Sequence, residues 1–158
     1  MLAWATGVLE RMRSVEGVFS YFFYHATDSA RPETAAPGAV GRGPACERAL
    51  ASAGRSSAER VDRSVELFLE HRDRFAAEQG KALMHAGPDG QGCHYLLFDY
   101  AHAARAWAEG GRSPKARTRI LELVLACRQP DGSFLVTPIN GRAYGTAMAL
   151  LAFAALQE

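Results

Sequence analysis

The sequence predicts an all-α fold in which exposed outer helices alternate with buried inner helices to form three helical hairpins. Two observations predict this fold. Segments with helical hydrophobic periodicity alternate with segments that are apolar on nearly every side. In addition, a short glycine motif recurs about every 50 residues along the chain, as in stacked repeats. We therefore expect one domain, residues 1–158, with hairpins at about 1–54, 55–110 and 111–158.

The composition is that of a globular domain with little net charge. The chain has 158 residues, with 18 Lys and Arg against 17 Asp and Glu, so its net charge is +1. Because so even a balance does not attract polyanions, we expect no nucleic-acid partner. No segment reaches the roughly 18 apolar residues that a membrane helix requires. Residues 1–14 lack the basic start of a signal peptide, so we expect a soluble protein that is cytoplasmic by default.

Three segments have the pattern of outer helices, with one apolar stripe and charged residues elsewhere. The capping-box pattern Ser56–Glu59 precedes a periodic run that extends to Gln79. Ser113–Pro114 combines an N-cap with a proline at the first helical position, and it predicts a helix that extends to Arg128. Leu2–Arg13 is a shorter amphipathic segment of the same kind.

Inner helices are predicted where charge is sparse. Tyr144–Leu156 has no charged residue, and a helix that is apolar all round must be covered on several sides. Gly92–Glu109 is also largely apolar, and Pro44–Ala53 is small and alanine-rich. Between the predicted helices, Ser29–Val40 is expected to form a long loop and Val18–Tyr24 a short strand.

The alternation of helices is accompanied by a repeat in the sequence. Gly41-Arg42-Gly43, Gly90-Gln91-Gly92 and Gly141-Arg142-Ala143 each precede or open an inner helix. The segment Arg13–Phe19 matches Arg128–Phe134, and each follows an outer helix. We expect the glycines to allow either close packing or a positive φ at the entry to each inner helix.

Two segments resemble a known superfamily. Gln129–Phe134 (QPDGSF), followed by Gly141–Leu156, is similar to the terpenoid cyclase and protein prenyltransferase superfamily. The family's Gln…Gly-x-Trp motif ties outer helices to the next loop, and here Phe134 takes the place of the Trp. The resemblance implies an α/α toroid, of which three hairpins would form an arc. An arc leaves apolar surface uncovered, so we expect self-association or packing on another part of a longer chain.

The catalytic residues of these families are not recognisable in the chain. The cyclase acid motif Asp-x-Asp-Asp is missing, because Asp89 and Asp99 are isolated carboxylates. Asp89 and Cys93 resemble the first two zinc ligands of the prenyltransferases, but no His occurs near Tyr144, where the third is expected. We therefore expect no catalytic activity and no cofactor, and fold alone does not fix function.

One alternative is a divergent zinc-dependent toroid enzyme, a transferase or a cyclase. Cys93 and His94 resemble the adjacent Cys-His pair of the lanthionine cyclases, and His85 is close enough in sequence to be a third ligand. Catalytic zinc needs three protein ligands and one open position. The other cysteines, Cys46 and Cys127, are expected to be small buried hydrophobes because three widely spaced cysteines do not suggest disulfides.

The expected function is the binding of a ligand or partner on the concave side of the arc. Tyr95, Tyr144 and Met148 are predicted to bound a pocket or groove there. The loop that contains His85 and Asp89 places polar groups beside the same helix ends, and such loops often bind ligands. The uncharged inner helix favours an apolar small molecule as the ligand.

Overall fold

Six α-helices form most of the described part of the chain. The computed structural model describes residues 2–20, 23–24, 29–30, 39–76 and 95–157. The helices are α1 (Leu2–Met12), α2 (Gly43–Ser52), α3 (Ala58–Ala76), α4 (Leu96–Glu109), α5 (Pro114–Leu125) and α6 (Gly141–Leu156). A 3₁₀ turn, Val40–Arg42, leads into α2, and the short strands β1 (Phe23–Tyr24) and β2 (Ser29–Ala30) pair antiparallel. The predicted all-α class is therefore confirmed.

Most helix boundaries follow the predicted sequence signals. The Ser113 hydroxyl caps α5, where it accepts a hydrogen bond from the backbone N–H of Ala116 at 3.4 Å. Helix α5 ends at Leu125, before the predicted end at Arg128, because the next residues already turn back toward Phe134. Of the predicted strand Val18–Tyr24, Phe23 and Tyr24 are paired as β1.

Helix α4 lies at the centre of the packing. It contacts α2, α3, α5 and α6, and its most extensive contact is with α6. Phe68 of α3 meets Tyr100 of α4 edge to face, with ring centroids 5.9 Å apart, and both side chains are fully buried. The helices predicted as inner, α2, α4 and α6, are thus neighbours in this order, as α4 contacts both of the others.

Two segments that are far apart in the sequence form the same turn. Arg13 bridges Phe19, and Arg128 bridges Phe134, in isolated antiparallel pairs. Inside each turn the same backbone hydrogen bond closes the loop: Ser14 N–H to Val18 O at 2.7 Å, and Gln129 N–H to Ser133 O at 2.7 Å. Gly17 and Gly132 have φ values of 86° and 85°. The predicted sequence match between these segments is therefore also a match in backbone geometry.

The glycines before α2 and at the start of α6 differ in what they allow: one allows close packing and the other a positive φ, the two roles predicted for them. Gly141 has a φ of 71°, which L-residues rarely adopt. Gly41 instead allows close packing, because a Cβ there would lie 2.7 Å from Oδ2 of Asp99. A third case is Gly145 of α6, where a Cβ would lie 2.3 Å from the carbonyl oxygen of Phe134. The motif at residues 90–92 lies outside the described residues.

A buried ion pair joins the first outer segment to α2. Arg13 Nη2 lies 2.7 Å from Glu47 Oε2; the Glu47 side chain is buried and that of Arg13 is partly buried. The Ser56 hydroxyl donates to the same carboxylate oxygen at 2.5 Å. The predicted capping-box serine therefore contacts Glu47, and Ser57 instead bonds Glu59 at the start of α3. Arg13 also lies over the ring of Phe19, 5.6 Å from its centroid.

The two described cysteines are free thiols. Cys127 is fully buried and its Sγ lies 3.6 Å from the carbonyl oxygen of Leu123, as expected for a small core residue. Cys46 is partly buried, and burial raises the pKa of its thiol to about 11. Cys46 is therefore a protonated thiol at neutral pH.

Glu47→Ala is expected to destabilise the protein by roughly 2–3 kcal/mol, because it leaves the partly buried guanidinium of Arg13 without its anion. Urea denaturation of the wild type and the variant measures the free energy of unfolding. Glu10→Ala is the matched control, since Glu10 forms an exposed pair with Arg55 at 2.9 Å between α1 and the segment before α3. Its removal should cost less than about 1 kcal/mol. Equal losses in the two variants would contradict a dominant role for the buried pair.

Gly132→Ala is expected to cost about 1–2 kcal/mol, because alanine is strained at a φ of 85°. Gly7→Ala is the opposite case. Gly7 lies inside α1 with open space around its Cα, so alanine should stabilise the protein by about 0.5–1 kcal/mol. The same urea titrations distinguish the two. If both substitutions stabilise the protein, the turn does not require a left-handed residue.

Candidate functional site

The start of α4 meets the 3₁₀ turn before α2 at one carboxyl group, that of Asp99. Asp99 is in the first turn of α4 and is partly buried. Its carboxyl group lies directly against Gly41, in the 3₁₀ turn before α2, where no side chain larger than hydrogen would fit without a shift. The glycine motif that the sequence repeat singled out therefore makes room for an acidic side chain from another hairpin.

The environment of Asp99 favours its neutral form. Burial raises the pKa of this carboxyl to about 7, and the charge of Arg42 opposes that shift only in part. Within the described ranges, no hydrogen bond to the carboxylate contributes to its pKa. Near neutral pH, part of the Asp99 population is therefore the neutral carboxylic acid. The remainder is a carboxylate whose charge Arg42 balances only in part.

Two of the predicted binding residues lie at the starts of α4 and α6. Tyr95 directly precedes α4 and is 51% exposed, and Tyr144 is partly buried in the first turn of α6. Burial, together with the charges of Asp99 and Tyr95, raises the pKa of Tyr144. Tyr144 is thus coupled electrostatically to Asp99 and to Tyr95, and we call these three residues the Asp99 cluster. The third predicted residue, Met148, lies one turn further along α6 and packs partly against the core.

An aromatic row extends from this cluster along the exposed side of α4. Phe98 lies 6.4 Å from Tyr95 and 4.3 Å from His102, measured between ring centroids. Burial and the charges of Arg48 and Arg105 lower the pKa of His102, so the imidazole is neutral at pH 7. Its Nδ1 is buried and has no hydrogen-bond partner among the residues that the structure describes.

Helix α6 presents a second exposed surface next to the cluster, which we call the α6 face. Five apolar residues form it, all exposed: Ala143, Ala147, Leu150, Leu151 and Ala154. The opposite side of α6 is buried against α4 and α5 through Gly145, Ala149, Ala152, Ala155 and Leu156. On the α6 face, leucines at 60% and 41% exposure face outward, so the described residues leave this side of the helix uncovered.

The remaining predicted site residues lie outside the described residues. His85 and Asp89, predicted to bind a ligand, and Cys93 and His94, predicted with His85 as zinc ligands in the alternative reading, all fall between residues 77 and 94. In the ranges that the structure describes, no three His, Cys, Asp or Glu side chains are grouped as a metal site would require.

Sequence reasoning missed Asp99 and its contacts with Gly41 and Arg42. Asp99 looked like an isolated carboxylate, because its neighbours come from two other hairpins. The available signal was its position as the one charged residue in the apolar stretch Leu96–Ala101. An acid inside an otherwise apolar, predicted inner helix is rarely buried without a role or a partner.

Comparison with protein-family models, with curated proteins and with solved structures finds no match to this chain. Among the described helices, none is both long and apolar enough to cross a membrane.

Asp99→Asn is expected to change how stability depends on pH. The folded pKa of Asp99, about 7, lies above the value of about 4 in an unfolded chain, so the folded state binds the proton more tightly between these values. The wild type therefore loses stability as the pH rises through this window, and the asparagine variant does not. The gain of Asp99→Asn over the wild type should grow by about 2–3 kcal/mol between pH 5 and pH 8.

Urea denaturation at both pH values measures this difference. Asp73→Asn in α3 is the matched control, since the Asp73 side chain is 85% exposed and should show little change. A constant difference between the wild type and Asp99→Asn across the window would show that the Asp99 carboxyl is not held in its neutral form.

Proposed function

We propose that this chain is a helical-repeat module, similar to part of a squalene-cyclase-like or prenyltransferase-like α/α toroid, that binds a ligand without catalysing a reaction. The observation that carries the proposal is the α6 face, an exposed and uncharged stripe of apolar residues. The ligand is a largely apolar small molecule that lies along this face.

The distribution of charge supports a binding role for the α6 face. Helix α5 exposes Lys115, Arg117, Arg119 and Glu122, which keep an ordinary surface helix hydrated. Helix α6 has no charged side chain after Arg142, although one side of it is as exposed as the outer side of α5. Contiguous exposed apolar surface of this kind is characteristic of binding surfaces in globular proteins.

The repeat geometry supports the toroid-like arrangement. The α2–α4–α6 contacts fit a row of inner helices, and the contact of α3 with α5 fits a row of outer ones. The two matching turns, at 13–19 and 128–134, fit the role that the Gln…Gly-x-Trp motif has in the family that the sequence resembles. Such an arrangement would place the α6 face and the Asp99 cluster on the concave side.

Leu151→Asp tests the proposal, because a charge in the middle of the α6 face should weaken the binding of an apolar ligand at least tenfold. Titration with the fluorescent probe N-phenyl-1-naphthylamine measures this binding. The matched control is Leu125→Asp, since Leu125 is a 48% exposed leucine on α5 and lies outside the proposed site. Equal binding by the wild type and both variants would contradict the proposal.

Sedimentation velocity of the same three proteins identifies the occupant of the face. A wild type that is a monomer in the absence of ligand agrees with a small-molecule site. A dimer that dissociates in Leu151→Asp and persists in Leu125→Asp would mean that a second copy of the chain covers the α6 face instead.

A further inference from the structure

We infer that the exposed side of α4 carries a second binding site, one for an aromatic anion. The ring of this ligand lies on Phe98 and His102, and its negatively charged group pairs with Arg105. The site shares no residue with the α6 face, so it goes beyond the proposed function and does not depend on it. The juxtaposition of exposed aromatic rings with an unpaired arginine is what selects such a molecule.

Three aromatic rings form a continuous row on this side of the helix, which we call the α4 row. The ring centroid of Phe98 lies 6.4 Å from that of Tyr95 and 4.3 Å from that of His102. Tyr95 is half exposed and Phe98 is 37% exposed, so a ligand can reach these rings from the solvent. Aromatic side chains in contact with one another at a surface are typical of binding sites, where a further ring can pack edge to face or offset.

Arg105 places a positive charge beside the α4 row. Phe98, His102 and Arg105 follow one another at intervals of four and three residues, so they lie on one side of α4. Arg105 is exposed. Because long helical side chains point back toward the N-terminus of their helix, Arg105 extends toward His102. A ligand ring on Phe98 and His102 therefore has a guanidinium within reach of its substituent.

The charge of Arg105 is not balanced by the two acids of α4. Glu109, one turn further on, accepts a hydrogen bond from Nε of Arg48 at 2.9 Å and a second from Nη2 of the same residue. Asp99 packs against Gly41 instead. Within the ranges that the structure describes, Arg105 forms no ion pair. A carboxylate, sulfonate or phosphate group on a ligand would supply the missing counter-charge.

This surface is matched by a molecule that is both aromatic and anionic. Burial and the charges of Arg48 and Arg105 lower the pKa of His102, so the α4 row is uncharged at neutral pH. An apolar chain alone would leave Arg105 without a partner, and a simple anion would leave the rings in water. From His102 to Arg105 the helix rises about 4.5 Å, which suits an acidic group attached directly to a one- or two-ring system.

The experiment compares three probes of the same shape: 2-naphthoate, 2-naphthamide, which lacks the charge, and decahydro-2-naphthoate, which lacks the aromatic rings. Chemical shifts of the backbone amides of ¹⁵N-labelled protein, followed by NMR during each titration, report both the affinity and the location of the probe. The wild type should bind 2-naphthoate about fivefold more tightly than either of the others. The signals that shift should be those of α4 from Phe98 to Glu109.

Arg105→Gln should weaken the binding of 2-naphthoate about fivefold and leave that of 2-naphthamide unchanged, because only the ion pair is lost. Phe98→Ala should weaken the binding of both aromatic probes. The matched control is Arg119→Gln on α5, since the Arg119 side chain is 44% exposed and lies outside the site, so it should change neither. Urea denaturation checks that each variant remains folded.

Three outcomes would overturn the inference: no binding of 2-naphthoate, equal affinity for the three probes, or unchanged binding of 2-naphthoate by Arg105→Gln. Leu151→Asp distinguishes this site from the proposed function, because it should weaken the binding of N-phenyl-1-naphthylamine and leave that of 2-naphthoate unchanged. If Leu151→Asp alone abolishes 2-naphthoate binding, the anion lies on the α6 face and the inference fails, while the proposed function stands. If 2-naphthoate binds as expected and N-phenyl-1-naphthylamine binding is insensitive to Leu151→Asp, only the proposed function fails.

Discussion

The ion pair of Arg13 and Glu47 is the constraint on which the arrangement of the helices depends. The buried carboxylate of Glu47 is stable there because it accepts hydrogen bonds from both Arg13 and Ser56. The pair fixes the end of α1, the middle of α2 and the segment before α3 relative to one another. Because Gly41 and Arg42 lead directly into α2, the same contact also positions the groups that surround Asp99.

Asp99 and Glu47 are acidic residues in contrasting environments. The carboxylate of Glu47 is buried and has Arg13 and the Ser56 hydroxyl as partners. Asp99 instead retains an acidic group in an environment that opposes its ionisation. A folded chain keeps such a cost where a site needs it, so the burial of Asp99 and the exposure of the α6 face are best understood together.

The sequence was informative where structure depends on neighbouring residues and uninformative where it depends on distant ones. Ser113 and Pro114 predicted the start of α5, and the match of 13–19 with 128–134 predicted two equal turns, because caps and turns are local. The contact of Gly41 with Asp99 joins different hairpins, and no periodicity reveals which residues will meet. Ser56 was assigned to a cap for the same reason, since its partner Glu47 lies in another helix. Tyr95 and Tyr144 were predicted as binding residues, but their electrostatic coupling with Asp99 was not.

Helix α6 is attached to the turn at residues 128–134 on one side only. Mutations are therefore poorly tolerated on that side and well tolerated on the other. At its start, Gly145 packs on the carbonyl of Phe134 while the Thr146 hydroxyl accepts a hydrogen bond from the N–H of the same residue. Substitutions at Gly145 and Thr146 would require a change in the turn. The need to fold therefore limits which residues these two positions can accept. On the α6 face, substitutions that keep the helix leave the fold intact, and under the proposed function natural variation at Leu150 and Leu151 would record selection for binding.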